Sequence, residues 1–392
     1  MVIRNIRLLY FHNFLCDFRL QDAFLAIYFA EIAGSYTLAM AVFAITSATS
    51  ALMDIPTGIL SDKMGRKGTM ILASFCSTLS IVLYASANGM WALCLGGFLG
   101  GLSQCLFNGN NNALLFESLK SANLQDKFHH YQGRTSSLFQ VGLGLSALIA
   151  SFLTNYGLHV IFMLGIIPQV LSLVVSFGFQ EPRTYRPAPT KNFLHMKEAC
   201  LKIYTHPRLF LLVTANALHH GAGEALFQSQ TPFLNTLWPL WALGLYRCLG
   251  NLAGFIGFWF SGPLIDRISR IHILIFRDVY WLFSQTLGLL MSNVATPLLF
   301  LSGAFVFGPG LVASDQMMQE EFTDDQRATL GSIASFAGSV VFSIVVLCMG
   351  LISDHFSLVL GVGFGVALCA TSLPLYVVLA RRMPLSSSRS AQ

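Results

Sequence analysis

Charge is what this chain has least of. Asp, Glu, Lys and Arg together make up 10% of 392 residues, whereas hydrophobic residues make up 54% and Phe alone contributes 33. A soluble domain covers its surface with roughly 25% charged residues, so this composition excludes a water-soluble globular protein. Paired cysteines are absent too. Cys16, Cys76, Cys94, Cys105, Cys200, Cys248, Cys348 and Cys369 are scattered, mostly within apolar runs, with no CxxC pair, which argues against a disulfide framework or a thiolate metal centre. No GxxxxGK[ST] loop is present to cradle ATP phosphates, and no HExxH helix to hold zinc. The net charge of +5 forms no single basic patch, so no nucleic-acid partner is expected. No cofactor and no metal are expected either.

What the chain has instead is a series of apolar runs of about 18 residues or more, each able to cross ~30 Å of hydrocarbon as a helix. Twelve such spans are predicted, near 8–32, 36–60, 67–87, 90–115, 131–154, 157–179, 207–233, 237–261, 271–292, 296–318, 328–352 and 357–380. The first is read as a retained helix and not a signal peptide, because no small-residue cleavage site follows it. With the N-terminus inside, 21 of the 23 Lys and Arg residues fall at cytoplasmic connections and termini. The other two, Arg19 and Arg247, lie inside spans, and the outer loops hold none. The positive-inside rule then places both termini in the cytoplasm and implies a multi-pass protein of a bacterial inner membrane, expected to be monomeric.

The longest connection divides the spans six and six. We read residues 1–180 as an N-terminal bundle, 181–206 as a cytoplasmic linker, 207–382 as a C-terminal bundle and 383–392 as a cytoplasmic tail. The linker sets Phe193, Cys200, Leu201 and Tyr204 among lysines, as an amphipathic surface helix would; a plain tether explains the stretch equally well. The two halves also repeat. "GILSDKMGRK" lies between spans two and three, and "GPLIDRISRI" lies 204 residues on, between spans eight and nine. Gly58, Leu60, Asp62, Lys63 and Arg66 match Gly262, Leu264, Asp266, Arg267 and Arg270, and "QGRTSS" at span five faces "QRATLGS" at span eleven. Two matches in register indicate a duplicated six-helix unit, a plan used by secondary transporters.

"GILSDKMGRK" resembles the signature loop of the major facilitator superfamily: Gly, any, Leu, any, Asp, basic, any, Gly, Arg, Lys. Gly58, Leu60, Asp62, Lys63, Gly65, Arg66 and Lys67 all fit. The resemblance implies an all-α polytopic fold of twelve helices in two pseudo-symmetric bundles around a central cavity. It also implies that Gly58, Asp62, Gly65, Arg66, Lys67 and Glu117, the last at the inner end of span four, form a gating latch holding the first half against helix 11. The chemistry agrees on its own terms. Gly58 permits a close helix approach, Asp62 suits a helix N-terminus and Arg66 can pair with carboxylates. The Gly-Pro-x-x-Gly-Gly pattern common in helix 5 of proton-linked drug exporters is missing, since "FQVGLGLSALIASF" has no proline. "FGPG" at Phe307–Gly310 falls in span ten.

Ionisable groups inside a bilayer are expensive and default to functional hypotheses. In span one, Arg19 and Asp22 are three apart and can pair on one helix face, which leaves Asp17 the freer carboxylate; a purely structural Arg19–Asp22 pair is the alternative. Span seven carries Asn216, His220, Glu224 and Gln228, each four apart, as on a helix facing a watery cavity. His219 and His220 are adjacent and point apart, a poor metal pair. Arg247 and Asn251 stand four apart in span eight. We assign all of these to a substrate and proton pathway. Asp54, Asn108, Asp278 and Asp315 are secondary candidates, with Arg277 beside Asp278 expected to snorkel.

A lining of both signs suits a small polar or charged solute, and burial in apolar surroundings favours the protonated form of a carboxylate. The expected function is therefore proton-coupled secondary transport of a small polar or charged metabolite, with import favoured. Export of drugs or toxic metabolites is the alternative, and a non-transporting membrane sensor the remote one. An intramembrane enzyme is not expected: "GAGE" at Gly221–Glu224 only loosely resembles Gly-x-Gly-Asp of membrane aspartyl proteases, whose second acid motif is absent.

Overall fold

The computed structural model describes residues 2–124, 127–181, 201, 203–321 and 327–382, and among them every regular element is helical. Residues 182–200 and 202 of the linker, the tail and the side chains of Asp62 and of "QRATL" at 326–330 lie outside the described residues. In chain order the helices are α1 (Val2–Asp17), α2 (Leu25–Ala33), α3 (Tyr36–Ala85), α4 (Met90–Lys120), α5 (Phe128–Leu153) and α6 (Leu158–Phe177). Then come α7 (Pro207–Asn235), α8 (Leu240–Trp259), α9 (Ser261–Arg267), α10 (Arg270–Met291), α11 (Thr296–Ser302), α12 (Ala304–Glu321), α13 (Arg327–His355), α14 (Leu358–Ala370) and α15 (Ser372–Arg382).

Local chemistry explains the punctuation. Gly34, at φ +71°, ends α2 in the left-handed conformation that glycine adopts without strain. Ser35 then caps α3 by accepting from the Leu38 N–H at 3.3 Å, and Ser357 caps α14 likewise from Leu360. α3 contains two expected spans, and its helical path breaks inside at Gly65 (φ +80°, ψ 168°).

Nine helical stretches among the described residues are long and apolar enough to cross a membrane, ten if α8 and α9, bent by 44°, count as one. The twelve expected from sequence are not all reproduced, for physical reasons. The first expected span is split, because the chain leaves the helical path between Asp17 and Leu25 apart from a short 3-10 turn at Asp22–Phe24. The seventh is diluted by its polar stripe, and the eighth bends near Phe260. Trp91, Phe152 and Leu290 stand 69–79% exposed, an apolar surface suited to lipid and not to water.

Packing groups the residues into two compact units, Met1–Thr190 with Pro239–Cys248, and Lys191–Trp238 with Leu249–Gln392. Each has its own core. In the first, Leu9, Met70, Leu114, Leu119 and Phe179 are fully buried together. In the second, Leu212, Leu274, Ala313 and Tyr376 are. Met70 and Leu274 hold the same register of the repeat, and each is 0% exposed.

Candidate functional site

In the first unit the signature stretch forms a closed polar knot around the break at Gly65. Beyond that glycine the helix restarts with open N–H groups. Glu181, just past the end of α6, takes two of them: Arg66 N donates to Oε1 at 2.7 Å and Lys67 N to Oε2 at 2.8 Å. A carboxylate at a helix start gains both hydrogen bonds and the favourable end of the dipole. The Arg66 side chain turns to α4, where Nε donates to Glu117 Oε1 at 3.0 Å, and Nη1 reaches Ser61 Oγ at 3.0 Å. Ser61 donates to Asn110 Oδ1 at 3.1 Å, and Asn110 Nδ2 returns a bond to the Arg66 carbonyl at 2.7 Å.

The structure thus brings Gly65, Arg66, Lys67 and Glu117 together, and adds Ser61, Asn110 and Glu181. Sequence reading passed over Glu181 because it borders the linker. Among the described residues, a Cβ built at Gly58 meets nothing within 4 Å. At Gly65 it would meet the Glu181 carboxyl at 2.8 Å. The second copy preserves the pairing, with Arg270 on Glu320, but these side chains are 32% and 54% exposed against 14% and 15% for Arg66 and Glu117.

The break in the first span corrects the pairing expected there. Arg19 lies 3.6 Å from Asp17, through Nη2 and Oδ1, and not on Asp22. The i, i+3 geometry that would join Arg19 to Asp22 requires a continuous helix, and the chain is not helical at Phe18–Leu20. Arg19 Nε instead donates to the Cys16 carbonyl at 3.0 Å, and Gln169 Nε2 donates to the same oxygen at 3.2 Å. These bonds satisfy the open end of α1 inside the bilayer, where water is unavailable. Asp17 is buried, Arg19 is exposed and Asp22 is half-buried. Gly142 of α5 comes close here, with a built Cβ 3.1 Å from the Phe14 carbonyl.

The second unit holds a more enclosed network. Asp278 Oδ1 accepts from Arg277 Nε and Nη2 at 2.9 and 2.8 Å, and lies 3.1 Å from His219 Nδ1. Its Oδ2 accepts from Ser372 Oγ at 2.6 Å. Tyr376 places its ring 5.6 Å from the Arg277 guanidinium carbon, and Cys369 Sγ lies 3.6 Å from His219 Nδ1. Arg277 is 4% exposed and turned inward, so it does not snorkel. Gly310 makes this possible, because a Cβ there would stand 2.1 Å from Arg277 Cδ. "FGPG" is therefore a packing device: a Cβ at Gly308 would likewise meet the Phe258 nitrogen at 2.5 Å.

The remaining candidates are dispersed. His219 turns inward and His220 is exposed, so the adjacent pair does diverge. On the α7 stripe Gln228 Nε2 donates to the exposed Glu224 at 2.8 Å, and Asn216 Oδ1 accepts from Ser314 of α12 at 2.8 Å. Arg247 is buried in the first unit, where Gly244 packs a built Cβ 2.6 Å from the Ala147 carbonyl. Asn251 is half-buried, and Asp54, Asn108 and Asp315 are exposed. Of the asparagine run in α4, Asn110 is the one buried.

Apolar helices carrying buried ion pairs and a duplicated signature knot define a multi-pass membrane protein of the transporter class. The chain belongs to the Major Facilitator Superfamily, whose family model matches residues 12–346. It is similar to the MFS-type transporter YqjV of Bacillus subtilis, 23% identical over 328 residues, covering 82% of this chain and 77% of that one. It is also similar to the multi-drug resistance efflux pump PmrA of Streptococcus pneumoniae, 24% identical over 318 residues, covering 78% and 77%. Among solved structures it superposes on the nucleoside transporter NupG with a TM-score of 0.76, covering 97% and 98% of the chains at 12% identity. That last likeness concerns fold alone.

Proposed function

We propose that the protein is a proton-coupled secondary transporter that moves a small polar or charged metabolite across the inner membrane by alternating access, as a monomer with both termini cytoplasmic and with no catalytic activity. The observation that carries this reading is the break in the first span. It sets a buried carboxylate, Asp17, 3.6 Å from an exposed guanidinium, Arg19, within an otherwise apolar stretch. Discontinuous helices at membrane depth are where transporters hold polar solutes and coupling ions. Asp17, Arg19, Asp22, Glu224 and Arg247 then line the route, and the knot around Arg66, beside Asp62 in sequence, acts as the cytoplasmic latch. We take import as the working direction. Export is the second reading, favoured by the similarity to a relative named as an efflux pump.

The test is flux into proteoliposomes of labelled amino acids and organic acids under an imposed proton gradient, with and without a protonophore. Accumulation that collapses with the protonophore supports the reading, as does an altered pH dependence in Asp17→Asn or Glu224→Gln. Accumulation indifferent to the protonophore overturns the coupling. Wild-type pH dependence in both variants removes these two carboxylates from it.

A further inference from the structure

Each unit packs a histidine beside a cysteine but builds its surroundings differently. In the first, His12 of α1 is 0% exposed, and both ring nitrogens are occupied. Nε2 lies 2.8 Å from Ser74 Oγ, and Nδ1 lies 3.6 Å from Cys16 Sγ. Its ring is closed in by Phe107 and Phe179, at 5.7 and 5.4 Å. In the second, His219 of α7 repeats the cysteine contact, with Nδ1 3.6 Å from Cys369 Sγ. The residue that answers to Ser74 in the register of the repeat is Asp278, and it lies 3.1 Å from that same Nδ1. Among the described residues, Nε2 of His219 has no protein partner, and the side chain is 13% exposed. One half thus holds a sealed neutral pair, the other an imidazole with one nitrogen on a carboxylate and one open.

We propose that His219 is a proton-binding site of the second unit, taking up a proton at Nε2 while Asp278 fixes the ring through Nδ1. The site rests on the proton-coupled reading given above, and adds to Asp17 and Glu224 a proton-binding group outside that route. In the neutral ring Nδ1–H donates to Asp278. A proton from water adds to the lone pair of Nε2 and the Nδ1–H bond is kept; Asp278, already paired with Arg277, then faces two cations, and the cluster gains one net positive charge. Asp278 is suited to this because Arg277 and Ser372 hold it from two sides, so it does not move when the ring charges.

The charged and titratable groups facing the ring are few. α10 brings Asp278 and Arg277, α14 brings Cys369, and α15 brings Tyr376 against Arg277. α7 itself adds His220, beyond which stands Asp315 of α12, and α13 brings none among the described residues. His219 is the twelfth residue after Pro207, about 18 Å along a helix rising ~1.5 Å per residue, which puts it deep in the span.

Trp281 supplies a readout that needs neither substrate nor gradient. Its ring meets His219 edge-on, with centroids 6.2 Å apart, and an imidazolium in contact with indole quenches its fluorescence. The purified full chain in detergent is titrated from about pH 8 to about pH 5, the range in which histidine changes charge. We expect a reversible quenching step that is absent from His219→Gln and from Trp281→Phe, the second of which leaves the imidazole in place. Asp278→Asn should reduce the quenching at pH 6 several-fold. No step in the wild-type chain, or a step unchanged in either of the first two variants, overturns the proposal. If the step is present but flux ignores a protonophore, His219 binds the proton and the transport coupling is what fails.

Discussion

Arg66 meets Glu117 across 51 positions of sequence, Nε to Oε1 at 3.0 Å, and Arg270 meets Glu320 near the corresponding place in the second half. The repeat is therefore kept in contacts as well as in letters. The first pair is sheltered and the second faces solvent, which sets unequal consequences for breaking them. A charge-assisted hydrogen bond is worth about 1.5–3 kcal/mol, whereas an exposed ion pair contributes about 0–1 kcal/mol. Glu117→Gln should lower the melting temperature of the detergent-purified protein by several degrees, and Glu320→Gln should leave it close to wild type. Thermal unfolding of the two variants side by side checks this; equal shifts would contradict the assigned difference in burial.

Gly65 and Gly58 make a second contrast. Alanine at 65 must adopt a φ near +80° and bring its Cβ to within 2.8 Å of the Glu181 carboxyl, at a cost of about 1–3 kcal/mol for the backbone alone. Alanine at 58 enters open space. Expression yield and melting temperature should fall for Gly65→Ala and hold for Gly58→Ala.

The latch itself is tested at Asp62. If the proposed latch uses the Asp62 carboxylate, losing a charge-assisted contact worth ~1–2 kcal/mol is enough to shift a balanced two-state equilibrium roughly five- to thirty-fold. Asp62→Asn should reduce flux sharply while expression persists. Asp266→Asn should do less, because Ser269 and Ile271 stand where the first copy has Gly65 and Lys67. Equal, mild effects would leave the loop with a topological role only.

Orientation is open to a direct check. The proposed orientation, drawn from the distribution of Lys and Arg, has the C-terminus inside. A cysteine introduced at Ser388 should therefore escape an impermeant thiol reagent in intact cells and react after permeabilisation, and labelling of intact cells would reverse the topology.

Helicity, the membrane environment and the duplication were legible in the sequence, because each rests on composition or on a recurring pattern, whereas Glu117 entered the latch only through the family resemblance. What escaped depends on where a helix stops or on what faces it from elsewhere. "DFRLQDAF" holds four ionisable or amide side chains in eight residues of an apolar run, and that density was a usable signal of the break. Read as unbroken helix, it assigned Arg19 to the wrong aspartate. Glu181 caps a helix more than a hundred positions earlier, and no local pattern announces such a partner. His219 was set aside because it diverges from His220; the divergence holds, and it is what carries the ring inward to Asp278.

The clearance at Gly310 ties two positions together in descent. Since even a methyl group there would overlap Arg277 Cδ, a lineage that acquires a side chain at 310 must already have surrendered the arginine at 277, and with it two of the donors to Asp278. The two sites are inherited as one character. Across divergent descendants of this chain, glycine at 310 should be lost only where 277 has become shorter and 278 uncharged.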